Sequence, residues 1–234
     1  MLVLGIETST DVCSVGLATE QGACGKKDIR ESRIHSEKIL ILIKELLISE
    51  KLGLNRLDGI AVSGGPGSFT GLRIGMSTAK GLCYSLSKAL VVVNTFEAIA
   101  LSVFASFPEI KRAIIIEDAK QGEFYKAIYE NLNGSPIEIL STRVESNSNS
   151  MSYTEQDIIV TDKVDFLKTK IEKNISIVNI FEYCRGDVIA ELGVSKLKKG
   201  ELSSLNNAEP LYLKNFKIKD PVLKVSEGEK YGMV

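Results

Sequence analysis

The chain has 234 residues, 44% of them hydrophobic and 25% charged, enough to bury a sizeable core in one large domain or two lobes. Its 19 glycines and 5 prolines exclude collagen-like structure and bulk disorder, and 29 basic against 30 acidic side chains exclude a chain-wide nucleic-acid footprint, though not a local basic patch. No run approaches the ~18 consecutive apolar residues of a membrane-spanning helix.

Residues 2–6 read as a short apolar strand that stops at Glu7-Thr8-Ser9-Thr10-Asp11. With no basic stretch before it, this start is expected to be a strand and not a signal peptide. Residues 12–18 make a second strand, Gln21-Gly22 a turn and 23–29 a third strand. A strong helix is expected over 36–52, ended by Gly53, then a buried strand over 58–63, a helix over 69–87, a strand over 90–93 and a helix over 95–107 before Pro108. A weaker version of the same order follows. Strands are expected at 113–116, 124–129 and 137–140, then a polar, mobile loop over 145–156. A strand at 158–160, a helix at 164–171, a strand at 175–178 and a helix at 181–199 complete it. The fold class is therefore bilobed α/β, two βββαβαβα halves around a cleft, with lobes 1–107 and 108–214 and a loose tail over 215–234.

His35 is the single histidine, so no H-E-x-x-H motif and no two-histidine metal site can be built within one chain. His35 stands just before a helix with no assignable acid or nucleophile, which favours a capping or surface role over catalysis. Cys13, Cys24, Cys83 and Cys184 are far apart without a C-x-x-C pair, as expected of buried, reduced thiols.

The densest local signal is Ser63-Gly64-Gly65-Pro66-Gly67-Ser68-Phe69-Thr70-Gly71-Leu72-Arg73, which joins a strand to a helix. Free N–H groups at a helix start attract anions, so a phosphate-facing loop is one reading and a tight turn that needs only glycine is the other. It is neither a Walker A loop, lacking the Lys-Ser/Thr, nor a Rossmann fingerprint, since Thr70 falls on the third glycine position. Glu7 and Asp118 end the first strand of each half and could face each other across the cleft. There they would hold Mg²⁺ and a nucleotide, or merely cap turns. Candidate phosphate or nucleotide contacts are Thr8, Ser9, Gly64, Gly65, Gly67, Ser68 and Asp118.

The first long helix carries apolar residues on two sides. With a helix turning about 100° per residue, Ile41, Ile48 and Leu52 project roughly opposite Ile39, Ile43 and Leu46. Such a second stripe suggests a protein-binding face. Gly71, Gly75 and Ala79 on the next helix make a groove for another helix, either a partner's or a neighbour within the chain.

Gly5-Ile6-Glu7-Thr8-Ser9, Ser14-Val15-Gly16-Leu17, Arg33-Ile34-His35-Ser36-Glu37 and above all the glycine-rich run through Gly75 resemble the TsaB (YeaZ) family. Asp118-Ala119, Gly122-Glu123-Phe124-Tyr125 and Pro210-Leu211-Tyr212-Leu213-Lys214 are similar to further family segments, although Lys120 and Gln121 stand where basic residues are usual. The resemblance implies an actin/hexokinase-like (ASKHA) fold and a subunit of the machinery that makes threonylcarbamoyladenosine on tRNA. It further implies a non-catalytic scaffold for a TsaD-like subunit, whose metal is held by paired histidines, with a TsaE-like ATPase joining through the complex. tRNA would be the substrate of that complex, and the chain alone would form a homodimer through the same surface. No cofactor would be required, with a nucleotide possible at a subunit interface. The expected partner interface is Ile41, Ile48, Leu52, Gly71, Gly75 and Ala79. The rival readings are a nucleotide-dependent phosphotransferase or ATPase using Glu7 and Asp118, and a peptidase that would depend on His35.

Overall fold

A computed structural model describes residues 1–146, 153–171 and 175–214. The tail expected to be loose, 215–234, and the centre of the expected polar loop lie outside the described residues. The first half runs β1 (Leu2–Glu7), β2 (Val12–Thr19), β3 (Gly22–Arg30), α1 (His35–Ser49), β4 (Gly59–Ser63), α2 (Phe69–Leu86), β5 (Ala89–Val93) and α3 (Thr95–Ser106). The second runs β6 (Arg112–Lys120), β7 (Glu123–Leu132), β8 (Ser135–Glu145), β9 (Asp157–Thr161), α4 (Val164–Lys168), β10 (Ser176–Asn179) and α5 (Gly186–Lys198). Each half builds one five-stranded sheet, ordered β3-β2-β1-β4-β5 and β8-β7-β6-β9-β10. In both, the first three strands are antiparallel and the last two run parallel to the first. The doubled order is thus present in the strands, while no described helix stands between β8 and β9 as α1 does between β3 and β4.

Period-two alternation along β1 decides what each face of the first sheet meets. Leu4 and Ile6 point to a core with α1 and α2, built with Ile39, Leu42, Ile43, Leu46, Ile60, Val62 and Met76. Val3 points the other way, with Ala18, Ala61, Val91 and Val93, onto Val188, Ile189 and Val194 of α5. The last helix of the chain therefore packs on the first sheet. The last helix of the first half does the converse: Phe96, Ile99, Val103 and Phe104 of α3 bury against Ala113, Ile115, Ala127, Ile158 and Val160 of the second sheet. Helix α3 is apolar nearly all round because it lies between layers, its Ala98 facing the α5 side.

This exchange requires close backbone approach. A Cβ on Gly5 would collide with the Gly186 carbonyl, one on Gly16 with the Asp187 backbone, and one on Gly186 would come within 2.6 Å of Val15. The chain before α5 breaks at Arg185, whose backbone is extended at φ −126° and ψ 123°, so the single helix expected over 181–199 is instead a 3₁₀ turn at Ile180–Glu182 followed by α5.

From Gly200 the chain crosses back over the first sheet. Ser203 N donates to the Leu90 carbonyl (2.8 Å) and Ser203 Oγ accepts from Val92 N (3.1 Å), covering the open edge of β5. Cys13, Cys83 and Cys184 are buried free thiols, but Cys24 on the edge strand β3 is exposed, unlike the expectation for all four.

Replacing Gly5 with Ala forces a methyl into the α5 backbone and should destabilise the fold by about 3 kcal/mol, read as a lowered denaturation midpoint. The control is Gly81→Ala, where an added Cβ meets nothing within 4 Å; equal midpoints for the two variants would contradict this packing.

Candidate functional site

The glycine-rich loop packs against its own chain. Gly64 N donates to the Val93 carbonyl (2.7 Å), Gly65 N to Thr95 Oγ1 (3.0 Å), and the Gly64 carbonyl accepts from Leu211 N (2.7 Å). Gly65 and Gly67 hold φ of 105° and 149°, which side chains rarely adopt, and a Cβ on Gly67 would lie 2.5 Å from the Ser9 carbonyl oxygen. Ser68 caps α2, its Oγ accepting from Gly71 N (3.3 Å), while Ser68 N donates to the Ser9 carbonyl (2.6 Å). Thr8 is buried with its hydroxyl donating to the Gly71 carbonyl (2.9 Å). Of the seven candidate phosphate contacts, Ser9, Gly67, Ser68 and Asp118 line the interlobe cleft. Thr8, Gly64 and Gly65 do not, their polar groups being spent inside the fold.

That cleft has a volume of about 470 Å³. The residue that meets Glu7 electrostatically is Glu117, not Asp118. Both glutamates are buried, Glu7 as the last residue of β1 and Glu117 within the C-terminal part of β6, and burial pushes each carboxyl upward. Glu7 is partly compensated by hydrogen bonds, Ser9 N donating to its Oε1 at 2.6 Å, whereas Glu117 is driven well above the ordinary value by burial, then by Asp162 and Glu7. Asp118 lines the cleft with its side chain 18% exposed and paired with two lysines. Burial raises it, but the Lys120 N–H and the Lys163 and Lys120 ammoniums outweigh that and hold it low, with Nζ distances of 3.1 Å for Lys163 and 3.3 Å for Lys120. The duplicated sequence contained the signal: Ile116-Glu117 in β6 occupies the place of Ile6-Glu7 in β1.

A chain segment that the sequence marks only as a motif closes one side of the cleft. Tyr212 packs on Phe69 with ring centroids 5.2 Å apart and accepts from Arg73 Nε (3.2 Å). Lys214 Nζ donates to the Ala119 and Lys120 carbonyls (2.8 and 2.9 Å) and pairs with Glu123 (2.7 Å), tying the segment to the second lobe.

The helix pair divides differently from expectation. Gly71, Gly75 and Ala79 are buried, and Cβ atoms on the two glycines would collide with the Thr8 carbonyl and Thr8 Oγ1, so this groove seats the end of β1 of the same chain. Leu52 is also not on the outer stripe. Helix α1 stops at Ser49, Lys51 takes φ 55°, and Leu52 returns to pack on the first core. Ile41 and Ile48 do project outward, 46% and 64% exposed, beside Leu40 at 58%. Across from them α2 presents Arg73, Ser77, Gly81 and Tyr84, and a groove of about 490 Å³ lies between the helices, lined by Leu40, Phe69, Arg73, Ile74 and Ser77 among others. His35 is buried as the first residue of α1, its Nε2 3.2 Å from the Val12 carbonyl, a structural role.

The profile of a family described as TsaD, tRNA N6-adenosine threonylcarbamoyltransferase, matches residues 30–219. A Buchnera aphidicola subsp. Acyrthosiphon pisum protein named tRNA threonylcarbamoyladenosine biosynthesis protein TsaB is 31% identical over 181 residues, 72% of either chain. The chain belongs to the TsaB (YeaZ) family. The TsaB protein of Haemophilus influenzae is 32% identical over 125 residues, 53% of this chain and 52% of that one, so the chain spans about half the length of that relative. A solved structure, YeaZ from Pseudomonas aeruginosa, superposes with a TM-score of 0.79 at 22% identity, over 91% of this chain and 99% of the other, which shows the same fold. That fold is the arrangement of two five-stranded sheets described above.

Because Glu117 is raised in the folded state, its contribution to stability is present below 4.5 and is lost as pH climbs through the raised value. The stability difference between a Glu117→Gln variant and the parent should therefore move in the variant's favour as pH rises above the ordinary carboxylate value, read by chemical denaturation at each pH. A difference independent of pH would contradict the assignment.

Proposed function

We propose that this TsaB-family chain is a non-catalytic, cytoplasmic subunit of the machinery that forms threonylcarbamoyladenosine on tRNA, and that it works by binding and stabilising a TsaD-like catalytic subunit through α1 and α2. The observation that carries this reading is the exposed apolar stripe Leu40, Ile41 and Ile48 on a helix whose opposite face is already fully used by the core. Burying each such side chain is worth about 1.5–3 kcal/mol, so a partner that covers them gains what the isolated chain forgoes. Tyr84, 83% exposed on α2, adds an aromatic anchor of the kind that dominates interfaces. The corrected interface is thus Leu40, Ile41, Ile48, Arg73, Ser77 and Tyr84, with small Ser77 and Gly81 allowing a helix to come close.

Family membership supports the pathway, since relatives carry the biosynthesis name. The non-catalytic part rests on side chains: the lone histidine is committed to a backbone carbonyl at the foot of α1. In this reading two copies pair through the same face when the catalytic subunit is absent. A TsaE-like ATPase joins through the complex, tRNA is the substrate of the whole assembly, and any nucleotide sits at the subunit interface.

The double change Ile41→Glu and Ile48→Glu should abolish co-purification with a TsaD-like subunit. Both positions being exposed, unfolding should shift by no more than about 0.5 kcal/mol per site. Retained association, with the variant folded, would remove α1 from the interface.

A further inference from the structure

Among the described residues, two buried side chains that line the same interlobe cleft keep hydrogen-bonding capacity to spare: Glu117 Oε2 has no partner, and the Ser9 hydroxyl has the Glu7 carboxyl beside it as its one acceptor. Ser9 is fully buried and Glu117 is 8% exposed. Leaving a group such as the Glu117 oxygen unmet costs on the order of 1–3 kcal/mol, so its place in this cavity calls for an occupant that donates hydrogen bonds.

The charge around them selects its sign. Lys120 and Lys163 both sit on Asp118, at 3.3 and 3.1 Å, and Lys163 reaches Asp162 only at 3.8 Å. Lys214 is held by Glu123 and two carbonyls. Glu117 faces Asp162, Glu7 and Asp118 against the one cation Lys120, so acidic groups outnumber basic ones at this end of the cleft and a cation is favoured there. Tyr125 and Tyr212 supply ring surface around it, and ring faces attract cations, while the Phe69 and Phe181 rings already carry the Arg73 and Arg30 guanidiniums at 4.2 Å. The cavity also falls within the roughly 300–1,000 Å³ typical of small-molecule sites.

We propose that the interlobe cleft binds a small organic monocation, a protonated amine on a flat apolar body, with its ammonium received by Glu117 and Ser9 Oγ and its body between the aromatic side chains. Binding draws the proton off the Glu117 carboxyl: the ammonium stays protonated, a carboxylate replaces the acid, and one proton passes to the buffer. The groups that set this titration are Glu7 from β1, Asp118 and Lys120 from β6, Tyr125 from β7 and Asp162 after β9. Affinity therefore rises with pH. The inference is independent of the partner reading, since it concerns the face between the lobes.

The test is isothermal titration of the full chain with phenethylamine, tyramine and cadaverine, against the neutral isostere 2-phenylethanol and against Mg-ATP. At least one amine should bind with Kd below about 1 mM, the alcohol at least tenfold more weakly. Binding should tighten from about pH 6 to pH 8, and buffers of different ionisation enthalpy should report proton release. Glu117→Gln, and separately Ser9→Ala, should each weaken the amine about tenfold. The comparison of amine with alcohol on the parent chain decides the matter should either variant fold poorly. Absence of binding by all three amines at 10 mM, equal affinity for the alcohol, or Mg-ATP displacing the amine from the cleft would overturn the proposal.

Discussion

The contact on which the rest depends is backbone on backbone: α5 rests on β1 and β2 at Gly5, Gly16 and Gly186, where no side chain would fit. That approach brings a helix from the end of the chain under the first sheet, while α3 from the middle of the chain covers the second. The two sheets then share a layer of helices, and neither half buries its apolar surface without the other. The outer side of the first sheet is covered by α1 and α2, whose remaining faces stay exposed.

The same arrangement fixes the cleft. Glu7 ends β1 and Glu117 lies three residues before the end of β6, the first strands of each half, and the exchange of helices brings these two positions together with their carboxyls away from water. The strap from Gly200 to Lys214 runs along β5, past the glycine-rich loop and onto the β6–β7 turn, closing one side of the cavity. Phe69 belongs both to this cavity and to the groove between α1 and α2, and Arg73 lies 4.2 Å over its ring, so the two surfaces share a wall.

Much of this was legible in the residues. Alternation gave the strands, and the helical repeat gave α1, α2 and α3, because each has a face that must be buried. The spacing of Gly71, Gly75 and Ala79 marked a close packing surface correctly but not its occupant: a small-residue stripe looks alike whether it meets β1 of its own chain or a partner's helix. Leu52 was misplaced because extending the helical wheel past Ser49 ignores the left-handed turn at Lys51. Choosing Asp118 over Glu117 followed from treating the last acidic residue as the strand end, although β6 continues to Lys120. The exchange of α3 and α5 had no local signal, since it is a property of how the halves assemble. Only the all-round apolar character of α3 hinted at a layer on both sides.

The central claim, that this chain acts by lending the α1–α2 face to a TsaD-like subunit, is tested most directly by hydrogen exchange with and without that subunit. The account predicts added protection concentrated in His35–Ser49 and Phe69–Leu86, with α5 and the second sheet unchanged. Protection confined to the second sheet, or none on either helix in a mixture shown to be bound, would contradict it.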